Sequence, residues 1–81
     1  MPWYIYIIEC SDSKLYTGIT NNLELRVRVH NSGKGGRFTR CRIPVKLLYS
    51  EKSSGKSEAL IREAGIKRLS RQEKLELIGK G

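Results

Sequence analysis

"SKLYTGITNNLELRVRVH", residues 13–30, decides how the rest of the chain is arranged. Leu15-Tyr16-Thr17 is short and rich in strand-favouring residues and runs into Gly18, so it reads as a strand. Beyond it, Asn21 or Asn22 can cap a helix, and Asn21-x-x-Glu24 has the spacing of a capping box. Leu23, Val27 and His30 then fall on one helical stripe, with Leu25 and Val29 on its neighbour, and Gly33 ends the element. A strand bearing a tyrosine is thus followed at once by a helix that carries Arg26 and His30 one turn apart on a shared face.

Upstream, "PWYIYIIEC" (residues 2–10) is rich in β-branched and aromatic residues. Both of its alternating sets are apolar, Trp3, Ile5, Ile7 and Tyr4, Tyr6, Ile8, which predicts a central strand or one covered on both faces. "SDSK" is turn-forming, so this strand and the next should make an antiparallel hairpin. With a three-residue loop, Ser11 to Ser13, Ile8 lies opposite Tyr16. Tyr6 then becomes a diagonal neighbour of Tyr16 on the same face, roughly 7–8 Å away. A loop of even length would send the two tyrosines to opposite faces.

Downstream, "SGKGGRFTRCRIP" (32–44) reads as a basic loop with three glycines, and "PVKLLYSE" (44–51) as a third strand. "SSGKS" is a linker, and Ser57 is the expected cap of a helix over "EALIREAGIKRL" (58–69). Ser70-x-x-Glu73 is a capping box opening a last helix, "EKLELI", that stops at Gly79. The fold class expected is α/β of the α+β kind, a three-stranded antiparallel sheet flanked by three helices in the order β-β-α-β-α-α. Residues 1–81 should form one small domain with a modest core. A long specific target site would need a partner protein or a dimer, and the oligomeric state is left open.

The charge is informative because of where it sits. The chain has 16 Lys and Arg against 8 Asp and Glu, a net +8. Residues 25–50 hold Arg26, Arg28, Lys34, Arg37, Arg40, Arg42 and Lys46 and no acid. An acid-free basic run favours a polyanion, since each neutralised phosphate releases counterions. Its plain alternative is a solvated loop that aids solubility. We expect Arg28, Lys34, Arg37, Arg40 and Arg42 to meet the phosphates of DNA, with RNA as the alternative nucleic acid.

Other classes are excluded. Cys10 and Cys41 form no CxxC pair, and His30 is not spaced from them as a zinc ligand, so two buried reduced thiols are expected. The first residues lack the basic region of a signal peptide, and no apolar run approaches membrane-spanning length. A soluble cytoplasmic protein with no membrane association is expected. "SSGKS" lacks the first glycine of a phosphate loop, which removes ATP binding.

Taken singly, the polar residues have ordinary readings. Tyr6 and Tyr16 are favoured strand residues. Arg26 could face solvent, and His30 could sit at a helix end where the dipole favours a cation. Glu63 precedes Lys67 by four residues, in the favourable order for an ion pair.

In combination they resemble the GIY-YIG nuclease family. Tyr4-Ile5-Tyr6 matches the first family triplet and Tyr16-Thr17-Gly18 the second. The family's helical arginine falls on Arg26, the histidine seen four residues later in many members on His30, and the metal-binding glutamate on Glu63. The likeness covers about residues 3 to 78. It is strongest to the small stand-alone bacterial members, through "LYTGIT", "HNSGKGGRFTR", "PVKLLYSE" and "IKRLSRQEKLELI". Tyr4 stands for the first glycine, Thr17 for the second isoleucine, and Ile19 where the excision-repair nucleases have a lysine.

The resemblance implies hydrolysis of DNA phosphodiester bonds with one divalent ion, Mg2+ or Mn2+. The cut would be of the endonuclease kind, directed by DNA structure, within DNA repair or processing. Glu63 would hold the ion, with water filling its other positions. Arg26 would grip a non-bridging phosphate oxygen with its fork of donors. Tyr16 would orient or deprotonate the attacking water, with Tyr6 assisting or exchanging roles. His30 would be an alternative base or an orienter of the phosphate. The competing readings are a non-catalytic nucleic-acid-binding module of the same fold and a small basic accessory protein of a ribonucleoprotein.

Overall fold

The computed structural model describes residues 2–80. Strand β1 (Trp3–Glu9) is central, with β2 (Leu15–Thr20) and β3 (Lys46–Ser53) antiparallel on either side. Helix α1 (Leu23–Asn31) follows β2, a single turn α2 (Arg37–Arg40) precedes β3, and α3 (Lys56–Lys67) and α4 (Arg71–Lys80) close the chain. The expected sheet and its flanking helices are all present, and α2 is one helical turn inside what the sequence shows as a basic loop.

The hairpin pairs Ile8 with Tyr16 and Tyr6 with Gly18, the register of a three-residue loop. Ser13 takes the left-handed conformation (φ 70°) that such a loop needs, and the Cys10 N–H donates to the Lys14 carbonyl at 2.8 Å. On the β3 side the register shifts between Ile7 and Ile8, and Leu48 is the extra residue. β3 starts after Pro44, which has no N–H to give the ladder. The Asn31 side chain takes a strand's place there, accepting from the Val45 N–H at 2.6 Å and donating to its carbonyl at 3.2 Å.

Both faces of β1 are covered, as its two apolar sets require. Ile5 and Ile7 pack against Ala59 and Ile66 of α3, with Leu77 and Ile78 of α4 beside them. On the other face Ile8, Cys10 and Val45 form a second cluster with Tyr16 against it. Tyr6, His30 and Thr39 are buried as well.

Four local expectations are corrected. The Asn21–Glu24 capping box does not form: of the two candidate caps Asn22 serves α1, its Oδ1 accepting from the Leu25 N–H at 3.1 Å, while Glu24 turns to Arg28. Ser57 lies inside α3, whose N-cap is the extended Gly55. Gly79 also lies within a helix, since one glycine costs a helix only about 1 kcal/mol against alanine and stops it only where a left-handed residue is needed. Cys10 is buried but Cys41 is exposed, because it follows α2 on the surface. The Ser70–Glu73 box forms in both directions, at 3.0 and 3.1 Å.

Candidate active site

The hairpin register puts Tyr6 and Tyr16 on one face of the sheet, their ring centroids 6.5 Å apart and edge to face. Helix α1 lies across that face and brings Arg26 and His30 to the same place. Gly18 makes room for this, as a Cβ there would come 2.5 Å from the Tyr6 hydroxyl oxygen. Gly35 does the same on the other side, where a Cβ would come 2.7 Å from the His30 Cα.

The result is a buried polar chain. Thr39 Oγ1 lies 2.8 Å from His30 Nδ1, and His30 Nε2 lies 3.0 Å from the Tyr6 hydroxyl. Arg26 donates from Nε to that hydroxyl at a long 3.4 Å and from Nη2 to the Gly35 carbonyl at 2.9 Å. Burial holds the His30 pKa below its ordinary value, and the Arg26 charge adds to the effect. His30 is therefore neutral at pH 7. Burial also pushes the Tyr6 hydroxyl up, against the hydrogen bond and charge of Arg26, with Tyr16 and Glu63 pushing it further up.

These positions separate the five residues. Tyr6 is 1% exposed and His30 0%, so both lie beneath the surface of the site. Tyr16 is half-buried, and its hydroxyl makes no hydrogen bond among the described residues. Arg26, also half-buried, commits donors from two of its nitrogens and keeps others for a ligand.

Glu63 sits on the stripe of α3 that carries Ala59 and Ile66 into the core, at a position where an apolar residue would be expected. Its side chain is 17% exposed and pairs with Lys67 at 3.4 Å. Its charge reaches the Tyr6 hydroxyl. Among the described residues no group of three His, Cys, Asp or Glu comes together. A lone carboxylate suits a hard ion that keeps most of its water, and offers nothing to a metal that wants imidazole or thiolate.

The basic residues differ in how committed they are. Arg28 is paired with Glu24 at 2.7 Å and Arg42 with Asp12 at 2.9 Å, both at the surface. Lys34, Arg37 and Arg40 have no ion pair among the described residues. Thr39, Gly35 and Phe38 are additions that the sequence did not single out. Phe38 stacks on Tyr16 with centroids 5.6 Å apart, and the Arg42 guanidinium lies 4.4 Å from its centroid. The short α2 turn explains why they were hidden, since it sends Thr39 inward and Phe38 over Tyr16 from neighbouring positions.

Comparison with known proteins gives the chain its relatives. The family model of the GIY-YIG catalytic domain matches residues 2–76. A UPF0213 protein of Staphylococcus haemolyticus is 53% identical over 75 residues, 93% of this chain and 92% of the relative. A second, of Clostridium perfringens, is 55% identical over 75 residues, covering 93% and 81%. The solution NMR structure of a UPF0213 protein from Bacillus halodurans superimposes with a TM-score of 0.62 at 40% identity, over 98% of this chain and 84% of that one.

Proposed function

The chain belongs to the GIY-YIG family, and from that premise we propose that it hydrolyses phosphodiester bonds of DNA with one divalent ion, Mg2+ or Mn2+, held at Glu63. The observation that carries the reading is Glu63 itself, a carboxylate on the inward stripe of α3 with its charge felt at the Tyr6 hydroxyl. A module that only bound nucleic acid would have no use for a half-buried acid beside a phosphate site.

When bound, the ion would supply positive charge to the phosphate and the leaving oxygen. The protein's own groups do the rest. Arg26 offers its uncommitted donors to a non-bridging oxygen, and its link to the Gly35 carbonyl fixes the direction of the fork. Tyr16 presents a hydroxyl with no hydrogen-bond partner among the described residues, and with its ring held by Tyr6, His30 and Phe38 it orients the attacking water. Tyr6 and His30 act as positioning residues, holding Arg26 and the Tyr16 ring from behind. Lys34, Arg37 and Arg40 supply sequence-independent contacts to the backbone.

The test is incubation with a panel of branched, duplex and single-stranded DNAs, with Mg2+ or Mn2+, beside Glu63→Ala. Metal-dependent cleavage that disappears in the variant is expected. Salt-sensitive binding without any cleavage would leave the binding module as the better account, and a preference for folded RNA would favour the ribonucleoprotein accessory.

A further inference from the structure

Helix α2 is a four-residue turn that buries one residue, Thr39, and leaves Arg37, Phe38 and Arg40 at the surface. The Thr39 hydroxyl oxygen lies 2.8 Å from His30 Nδ1. His30 Nε2 lies 3.0 Å from the Tyr6 hydroxyl, which Arg26 Nε reaches at 3.4 Å. Arg26 Nη2 then donates to the carbonyl of Gly35, which is in the same loop as Thr39 and four residues before it. These contacts form a closed circuit that leaves the loop at Thr39 and returns to it at Gly35. Both hydroxyls can donate or accept, so the circuit closes in either neutral tautomer of His30. Gly35 also walls the His30 ring, since a Cβ there would run into it. Tyr16 is a further neighbour of that ring, with centroids 5.5 Å apart.

Packing alone does not require a threonine here, since valine has the same shape. What valine lacks is a partner for Nδ1. Facing a methyl, that nitrogen would be a buried polar atom left unsatisfied, and the ring would gain by turning or drawing away. Such a movement changes what the Tyr6 hydroxyl and the Tyr16 ring rest on. We propose that Thr39 is a positioning residue for the phosphate clamp: it fixes the His30 ring, and through His30 and the Tyr6 hydroxyl it aims the Arg26 guanidinium. Arg37 and Arg40 lie on the same turn, so a strand lying on α2 is registered against Arg26 through this circuit.

The effect on rate rests on the reading that the chain cleaves DNA, whereas the aiming of Arg26 does not, so each has its own readout. The first is the Arg26 Nε–H signal of 15N-labelled protein without DNA or metal. In wild type it should show an NOE to the Tyr6 ring, and its absence would overturn the proposal before any variant is made. Thr39→Val should lose the NOE and move the signal toward those of exposed arginines, while amide signals outside the site stay in place. Thr39→Ser keeps the hydroxyl and should retain both. Tyr6→Phe cuts the same circuit without touching Thr39, so its Arg26 signal should move as in Thr39→Val, and an unmoved signal would overturn the proposal on its own. The second readout is cleavage, with Mg2+, of whichever DNA of the panel wild type cuts. Thr39→Val should lower kcat about ten- to a hundred-fold, the scale expected when a reacting geometry slips by about 1 Å, with KM changed less than about threefold. Thr39→Ser should recover most of the loss. A wild type that cuts nothing removes the reaction and leaves the NMR signals to decide the role of Thr39. If Thr39→Val keeps the NOE or keeps kcat, or if Thr39→Ser loses as much as Thr39→Val, Thr39 only packs and the proposal fails.

Discussion

Gly18 lies opposite Tyr6 across the first strand pair, and the Tyr6 ring occupies the space that a side chain there would need. The ring cannot swing away cheaply, because its hydroxyl is bonded to His30 and touched by Arg26 in a buried site. Gly18→Ala is therefore expected to destabilise the protein by about 1–3 kcal/mol, the usual cost of overpacking. Urea melts check this. A midpoint equal to wild type would mean the ring has room that the geometry denies it.

The residue before it predicts the opposite sign. Thr17 is 3% exposed, and its Oγ1 is buried with no hydrogen-bond partner among the described residues. Thr17→Val keeps the branched shape and removes the hydroxyl, so it should stabilise by about 1 kcal/mol, the low end of the cost of an unsatisfied buried group. A thermal melt should rise by about 4–8 °C for a domain of this size. A lower melting temperature would mean the hydroxyl is satisfied by water.

His30 is the only histidine in the chain, which isolates its titration. Burial and Arg26 lower its pKa in the folded state, and Tyr6, Tyr16 and Thr39 are the other groups facing it. The unfolded chain then binds a proton that the folded chain refuses. Stability is full above the unfolded value of about 6.5 and declines as pH falls below it, down to the lowered folded pKa. Melts at pH 7.5 and 5.5 should show the decline, before most carboxylates titrate. An NMR titration placing His30 at or above the ordinary value would refute the neutral assignment.

Much of this could be read from residue order. The double apolar set of β1 fixed its central place, and the turn residues Ser11 to Ser13 fixed the register that unites Tyr6 with Tyr16. What escaped was set by tertiary packing. Burial depends on what lies across the site, so nothing local to His30 tells that Thr39 and Gly35 enclose it. The one-turn α2 carries no periodicity long enough to detect, and Gly55 caps α3 where a nearby serine looked better suited. The inward position of Glu63 was legible only once Ala59 and Ile66 were known to face the sheet.

Arg37 and Arg40 have no intramolecular ion pair among the described residues, unlike Arg28 and Arg42. Reversing both to glutamate should weaken DNA binding about equally for all sequences. The log–log salt slope should become shallower by about 0.9 for each phosphate that is no longer neutralised. Arg28→Glu should matter less. An effect confined to one sequence would point to base readout in place of backbone contact.

Glu63 and Arg26 should fail in different ways. Glu63→Gln keeps the shape of the side chain and removes its charge. Its pair with Lys67 is worth only about 0.3–0.5 kcal/mol in a surface helix, so the melting temperature should shift little while cleavage largely vanishes. Magnesium-induced NMR shifts around Tyr6, Tyr16 and α3 should vanish with it. Arg26→Lys keeps a positive charge but removes the fork that reaches both the Tyr6 hydroxyl and the Gly35 carbonyl. Cleavage should fall about 100-fold or more, as when a donor to a developing charge is removed, while the magnesium shifts persist. Arg26→Lys should also melt earlier, because the Gly35 carbonyl is left without its donor, whereas Glu63→Gln should not. If Glu63→Gln melts several degrees early and magnesium still perturbs the same residues, Glu63 is a structural acid and the metal-dependent reading fails.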